Sequence, residues 1–470
     1  MNSVDRFFEI TARQSTLGTE IRGGVVTFIA MAYIIVLNPI ILSSSPDVTG
    51  AQLDFAQVSA TTSLAAGVMT ILFGLIARLP FALAAGLGIN SFLATTVVGD
   101  LTWAEAMGLV VINGLIIVLL AVTGLRRLVF DAVPMQLKLA ITAGIGLFIL
   151  FIGLVDAGFI GSTGRPSPPV GLGAGGLGSI STVPTLVFVL TLVLTGFLVV
   201  RRVRGGILIG LVAGTVVAVV IEAIWHLGSA VDNPGGWSLS VPTLSGSPFA
   251  LPDLSLVGEF SLNSFSRIGV LAAVMLIFTL VFANFFDAMG TMTGLSREAG
   301  LSDEKGTFPR LKSALIVEGA GAVVGGATSS SSNTVFIESG AGIGEGARTG
   351  LASLVTGALF LAAMFLTPLA AIVPTEVAAA ALVIVGAMMA SHLRDIDLAD
   401  FSIALPVVLT VAVMPLSYSI ANGIGVGFIS WVIVRTAAGK GREISPLLWV
   451  VAAGFLLYFA RGWIDSLIGA

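Results

Sequence analysis

No cysteine occurs in this chain, so neither a disulfide nor a thiolate metal site or nucleophile is available to it. Its two histidines, His226 and His392, fall near predicted helix ends, which leaves no paired imidazoles for zinc. Charge is scarce as well: Lys, Arg, Asp and Glu make up 10% of 470 residues, while 56% are hydrophobic. A water-soluble domain could not cover itself with so little polar surface. The net charge of −4 gives no reason to expect nucleic acid as a partner. A membrane enzyme would need an activated nucleophile or a metal facing water, and the missing residue types argue against one; neither metal nor cofactor is expected.

What is present is a series of apolar runs near bilayer-spanning length, rich in Gly and Pro. This is the pattern of an all-α integral membrane protein. Spans are expected at 23–43, 56–78, 81–98, 104–123, 134–158, 183–201, 204–225, 267–293, 311–326, 327–344, 348–368, 375–391, 401–416 and 419–437, fourteen in all. A further apolar piece, 446–460 within the C-terminal segment 438–470, is short for a span and fits an interfacial or bundle-packed helix. Residues 1–22 mix charges with single apolar side chains and lack a cleavage site, so they read as a cytoplasmic segment rather than a removed signal.

Positive charge supports this count, because Lys and Arg stay on the cytoplasmic side. With both termini inside, the inner loops receive Arg78; Arg126 and Arg127; Arg201, Arg202 and Arg204; Arg297, Lys305, Arg310 and Lys312; Arg348; Arg394; and Arg435, Lys440 and Arg442. The extracytoplasmic loop, 226–266, carries no Lys or Arg, and only Arg165 falls on the wrong side. Seven spans precede that loop and seven follow it, which predicts two inverted repeats. A short echo agrees: Ile89-Asn90-Ser91 in the third span and Ile337-Glu338-Ser339 in the tenth.

Those two spans are poor continuous helices. The third opens LPFALAAGLGIN and the tenth GGATSSSSNTVF, each reading as extended backbone followed by a half-helix. Non-helical backbone at membrane depth needs protein or a water-filled cavity around it, and if the two breaks meet near the midplane they form a binding site for a flat polar solute. The Ser/Thr run either satisfies that backbone or, toward Thr334, faces the solute.

Three carboxylates lie inside predicted spans: Asp287, Glu318 and Glu338. Intramembrane ionisable groups are costly and point to function. Asn284, Asp287 and Thr291 share one helical face. Glu338 is placed to cap its half-helix, to bind a ligand, or both; Glu318 either carries a proton or pins the tenth-span backbone. With no histidine at mid-membrane depth, these carboxylates are the available proton carriers, although sodium would suit unwound carbonyls plus a carboxylate. Asp156, Glu222 and Glu376 lie at span ends, where snorkelling to water is expected.

The segments TFIAMAYIIVLNPIIL, LPFALAAGLGINSFLA, LAITAGIGLFILFIGL, FANFFDAMGTMTG, TVFIESGAGIGEGARTG and PLSYSIANGIGVGFISWVIVR together resemble the hypoxanthine/adenine/guanine permease branch of the nucleobase:cation symporter-2 (nucleobase/ascorbate transporter) superfamily, over nearly the whole chain. The resemblance implies two short antiparallel strands in spans 3 and 10 framing the base. It implies a core domain, 23–123 plus 267–368, moving against a gate domain, 134–225 plus 375–437, and homodimers joined through the gate. It places substrate contacts on Asp287, Asn90 and Glu338, with Glu318 at a position usually acidic, and implies proton-coupled import of hypoxanthine, adenine or guanine; the lack of processing signals fits a bacterial inner membrane. Asn284 stands where relatives usually have Asp, and Phe336 and the Ser run replace the usual Tyr and Thr, which bears on which purine is carried.

A purine edge alternates donors and acceptors, which suits a carboxylate beside an amide. Phe92 or Phe336 is placed to stack on the ring, or simply to pack. The alternatives are a sodium-coupled carrier of a nucleobase such as uracil or xanthine, and a sulfate- or bicarbonate-type anion carrier of the same fold, which would favour a positive site.

Overall fold

A computed structural model describes residues 3–125, 132–165, 167–173, 178–238, 240–244, 247–302 and 308–468. Arg126, Arg127 and Lys305 of the cytoplasmic positive set lie outside the described residues. The protein is a mostly helical, multi-pass membrane protein: among the described residues ten helices are long and apolar enough to cross a bilayer.

A short helix α1 (Ser3–Phe8) precedes α2 (Leu17–Met31), α3 (Ile34–Ser43), α4 (Phe55–Ile76), the strand β1 (Leu83–Ala85), α5 (Leu87–Phe92), α6 (Trp103–Thr123), α7 (Met135–Asp156), the hairpin strands β2 (Ile160–Ser162) and β3 (Val170–Leu172), α8 (Val183–Val200) and α9 (Gly206–Trp225). Then follow α10 (Val270–Glu298), α11 (Leu311–Ala327), the strand β4 (Asn333–Val335), α12 (Ser339–Gly344), α13 (Gly350–Ala363), α14 (Thr375–Ala390), α15 (Phe401–Leu416), α16 (Ile420–Ala437) and α17 (Pro446–Ile468). The first membrane helix starts at Leu17, earlier than the apolar run, because Thr16 caps it by accepting from the Thr19 N–H. The C-terminal apolar piece, short in the sequence, extends to a helix of 23 residues.

The first span is interrupted for two residues, Ala32 and Tyr33, which keep right-handed helical dihedrals. Helix α2 stops at Met31 and α3 resumes at Ile34, leaving Tyr33 at the join, fully buried. Pro39 lies inside α3 and has no N–H, so the Ile35 carbonyl one turn earlier loses its helical donor. The Ser59 hydroxyl of α4 donates to that carbonyl at 3.0 Å instead. A hydroxyl from a neighbouring span thus makes a mid-membrane proline tolerable.

The two expected breaks do meet. Strands β1 and β4 pair antiparallel, with Leu83 opposite Val335, Ala84 opposite Thr334 and Ala85 opposite Asn333. The ladder continues beyond them through Gly86 N–H to Ser332 O and Phe336 N–H to Ala82 O, both at 2.9 Å. Alternation then turns the Leu83 and Val335 backbone groups outward. Thr70 on α4 answers Leu83, donating to its carbonyl at 3.0 Å and accepting its N–H at 2.9 Å. Glu318 on α11 answers Val335, whose N–H reaches Oε2 at 3.2 Å.

Helix pairs α6/α11 and α4/α13 hold the strands from either side, and each closes on facing glycines. A Cβ at Gly114 of α6 would lie 2.7 Å from the Gly319 carbonyl, and one at Gly67 of α4 would lie 2.9 Å from that of Gly357. Small residues at these crossings let the backbones approach without side-chain bulk. Elsewhere α7 packs on α14 and α15, α8 on α9 and α14, and α15 on α16.

The expected snorkelling of Glu222 and Glu376 does not occur. The connection after α9 folds back over both, leaving them 7% and 2% exposed. Glu222 accepts from the Trp237 indole N–H at 2.9 Å and from the N–H groups of Leu227 and Gly228. Glu376 accepts from the Ser238 N–H and hydroxyl at 3.0 and 2.7 Å. Buried carboxylates are tolerable when donors surround them, and here the loop provides those donors. At the other end of the bundle the Lys440 ammonium and the Ser402 hydroxyl hold the Asp400 carboxyl well below the usual carboxylate range.

Candidate functional site

The polar run before Glu338 is a turn forced out of helical geometry. Ser329 and Ser331 adopt left-handed φ values of 53° and 71°, which non-glycine residues rarely hold. Hydroxyls stabilise its first half: Thr328 Oγ1 and Ser330 Oγ lie 3.0 Å apart, and Ser329 donates to the Glu259 carbonyl at 3.2 Å. In the second half Ser331, Ser332 and Thr334 keep buried hydroxyls with no hydrogen-bond partner in the protein. The run therefore divides, its early members serving the backbone and its later ones leaving polar atoms uncommitted.

Gly325 permits this turn. A Cβ there would sit 2.7 Å from the Asn333 Nδ2 and 2.9 Å from the Ser331 carbonyl carbon. Gly325→Val is expected to destabilise the protein by about 1–3 kcal/mol through overpacking and to abolish transport, because the strand pairing must shift. A detergent melting curve beside an uptake assay checks this, and wild-type behaviour in both would refute the packing argument.

Glu338 begins the half-helix α12 but does not cap it. Its own backbone is helical, φ −60° and ψ −15°, rather than extended as at a capping residue, and its side chain makes no bond to the first turn. Instead Oε1 accepts from the Tyr33 hydroxyl at 2.5 Å. The carboxylate is half-buried, whereas Tyr33 is fully buried.

Asn90, on the half-helix α5 after β1, is fully buried and donates from Nδ2 to Asn38 Oδ1 at 2.5 Å. Asn38 in turn donates to Thr62 Oγ1 at 2.7 Å and to the Ser330 carbonyl at 3.0 Å. This chain fixes the Asn90 amide and leaves its Oδ1 buried without a protein partner.

Helix α10 packs on β4, α12 and α5. On it Asn284 is fully buried with neither amide atom paired, and Asp287, one turn on, is half-buried. Asp287 is close enough to interact electrostatically with both Glu338 and Glu318. Glu318 is fully buried, and its Oε1 is free while Oε2 holds β4. The rings of Phe92 and Phe336 are 2% and 7% exposed and belong to the main hydrophobic core. Among the described residues no group of three or more His, Asp or Glu converges as a metal site would.

The structure therefore gathers the carboxylates of α10, α11 and β4–α12 around one strand pair. The sequence reading missed Tyr33, Asn38 and Thr70. The signal for two of them was present: a tyrosine, one of three in the chain, and an Asn-Pro pair interrupt the apolar first span. Thr70 had no such signal, since hydroxyls are common in membrane helices.

A model of the Permease family matches residues 18–426. The chain belongs to this family, that of the nucleobase/ascorbate transporters. It is similar to the guanine/hypoxanthine permease PbuG of Bacillus subtilis (strain 168), 38% identical with 96% of this chain and 98% of the relative covered. It is also similar to the adenine permease AdeP of Escherichia coli (strain K12), 36% identical with 97% and 95% covered. Among solved structures it resembles the transmembrane domain of a cyanobacterial bicarbonate transporter, BicA, with a TM-score of 0.62 at 17% identity, covering 86% of this chain and 97% of that one. At that identity the likeness concerns the fold alone. This permease is a transport protein of the membrane and not an enzyme.

Proposed function

We propose that this permease imports purine nucleobases, hypoxanthine, guanine or adenine, together with protons. The observation that carries the reading is the set of polar groups around the paired strand breaks: a carboxylate at Glu338, amides at Asn90 and Asn284, and the Asp287 and Glu318 carboxyls. A planar base offers ring N–H donors to a carboxylate and acceptors to an amide, so this chemistry fits it. An oxyanion cargo would meet three acidic groups and no Lys or Arg among the site residues, which disfavours the anion alternative despite the shared fold.

Fourteen spans in two inverted halves are proposed with it, both termini cytoplasmic. Mirrored packing supports the repeat: α6/α11 answers α4/α13, α2/α13 answers α6/α10, and α8/α9 answers α15/α16, while β1 pairs with β4 about a local twofold. The elements carrying the site residues would form the core, moving between faces against a gate built from α7 to α9 and α14 to α16.

Uptake of radiolabelled hypoxanthine by cells or proteoliposomes is expected to collapse with a proton uncoupler and to ignore sodium. Unlabelled guanine and adenine should compete, while uracil, xanthine and sulfate should not. Sodium-driven uptake would assign the coupling to sodium, and competition by sulfate alone would overturn the purine reading.

A further inference from the structure

We infer that Tyr33 is a positioning residue for Glu338: its hydroxyl holds one carboxylate oxygen and thereby presents the other, singly, to the solute. The inference rests on the purine reading above, but the contact itself is a property of the chain. Tyr33 stands at the short interruption between α2 and α3, where its backbone keeps right-handed helical dihedrals, φ −55° and ψ −23°, and no part of it is exposed. The only hydrogen bond its hydroxyl makes among those described is the 2.5 Å donation to Glu338 Oε1. A phenol fixed at one oxygen occupies part of that oxygen's accepting capacity and orients the other oxygen toward an N–H group of a base. It also supplies a donor that favours the ionised carboxylate, the form able to accept from a base. Among the described residues, the acidic groups near Glu338 are Asp287 on α10 and, beyond it, Glu318 on α11, while Glu298 on α10 lies against Gly340. Tyr33 is the donor that the structure places on the Glu338 carboxylate.

The test uses the full-length protein, with Tyr33→Phe, Glu338→Ala and the double variant, purified in detergent and reconstituted. Tyr33→Phe is expected to raise the hypoxanthine KM roughly 10- to 100-fold, the value of one hydrogen bond to a charged group. Its maximal rate should change little, and the acid limb of its pH profile should move to higher pH. A purely structural role would lower the maximal rate or the yield and leave the pH profile in place. Without substrate, Tyr33→Phe should lower the melting temperature in the native background and not in the Glu338→Ala background. A wild-type KM and pH profile in Tyr33→Phe, or an equal melting loss in both backgrounds, would overturn the inference. Failure of the wild-type protein to take up any purine would instead overturn the proposed function, with the melting cycle still judging the contact.

Discussion

Glu338→Gln yields, as the expected result, a folded permease that no longer binds purines. Tyr33 donates to Glu338 and would go on donating to the one carbonyl oxygen that glutamine retains. The glutamine NH2 is then turned toward the solute, where an acceptor is required. A base N–H would face a donor instead of an oxyanion, so the loss exceeds that of a single deleted hydrogen bond. Removing one partner of a charged, buried pair costs about 2–5 kcal/mol, so affinity should fall at least about 30-fold. Because Tyr33 keeps an acceptor, the melting temperature should stay near that of the wild type. Equilibrium binding of labelled guanine beside a melting curve reads both quantities. Near-native affinity in the variant would remove Glu338 from the site, and a large fall in melting temperature would recast it as structural.

The second large effect concerns coupling rather than binding. Asp287 interacts with both Glu338 and Glu318, so a proton on Asp287 alters each of them. In Asp287→Asn that position is permanently neutral and cannot alternate. Purine exchange across the membrane should persist, while uphill accumulation should disappear and the residual uptake should ignore an uncoupler. Counterflow in preloaded proteoliposomes separates the two activities. Full, uncoupler-sensitive accumulation by Asp287→Asn would exclude Asp287 from the proton path. Loss of exchange as well would place it in purine binding instead.

The gross architecture was legible because membrane helices are specified by composition. A segment that satisfies its backbone internally and is apolar enough declares itself one-dimensionally, whatever lies beside it. The broken spans were legible for the converse reason: LPFALAAGLGIN and TSSSSNTV lack the residues that make good helix, in a setting where helix is otherwise the default. The three intramembrane carboxylates announced themselves by their cost.

Contacts between distant segments were not legible. Glu222 and Glu376 read as side chains reaching for water, but one loop covers both, with Leu227, Gly228 and Trp237 on Glu222 and Ser238, more than a hundred residues away in sequence, on Glu376. Glu338 read as a cap, a ligand contact or both; the cap is not made, and its side chain meets Tyr33, 305 positions away. Glu318 was left between two roles by its sequence position, and its bond to the Val335 N–H settles that it holds the strand, whatever else it does.

Composition and local pattern, then, determined by themselves that this chain lives in a membrane, where its third and tenth spans break, and which side chains are too costly to be there idly. Each of these follows from what one segment can satisfy alone. Tertiary structure decided which oxygen of Glu338 is held and which is open, which amide atom of Asn90 is committed, and that α4 and α11 flank one strand pair. Those depend on partners brought from far along the chain, and hydrogen-bond direction exists only once both partners are in place.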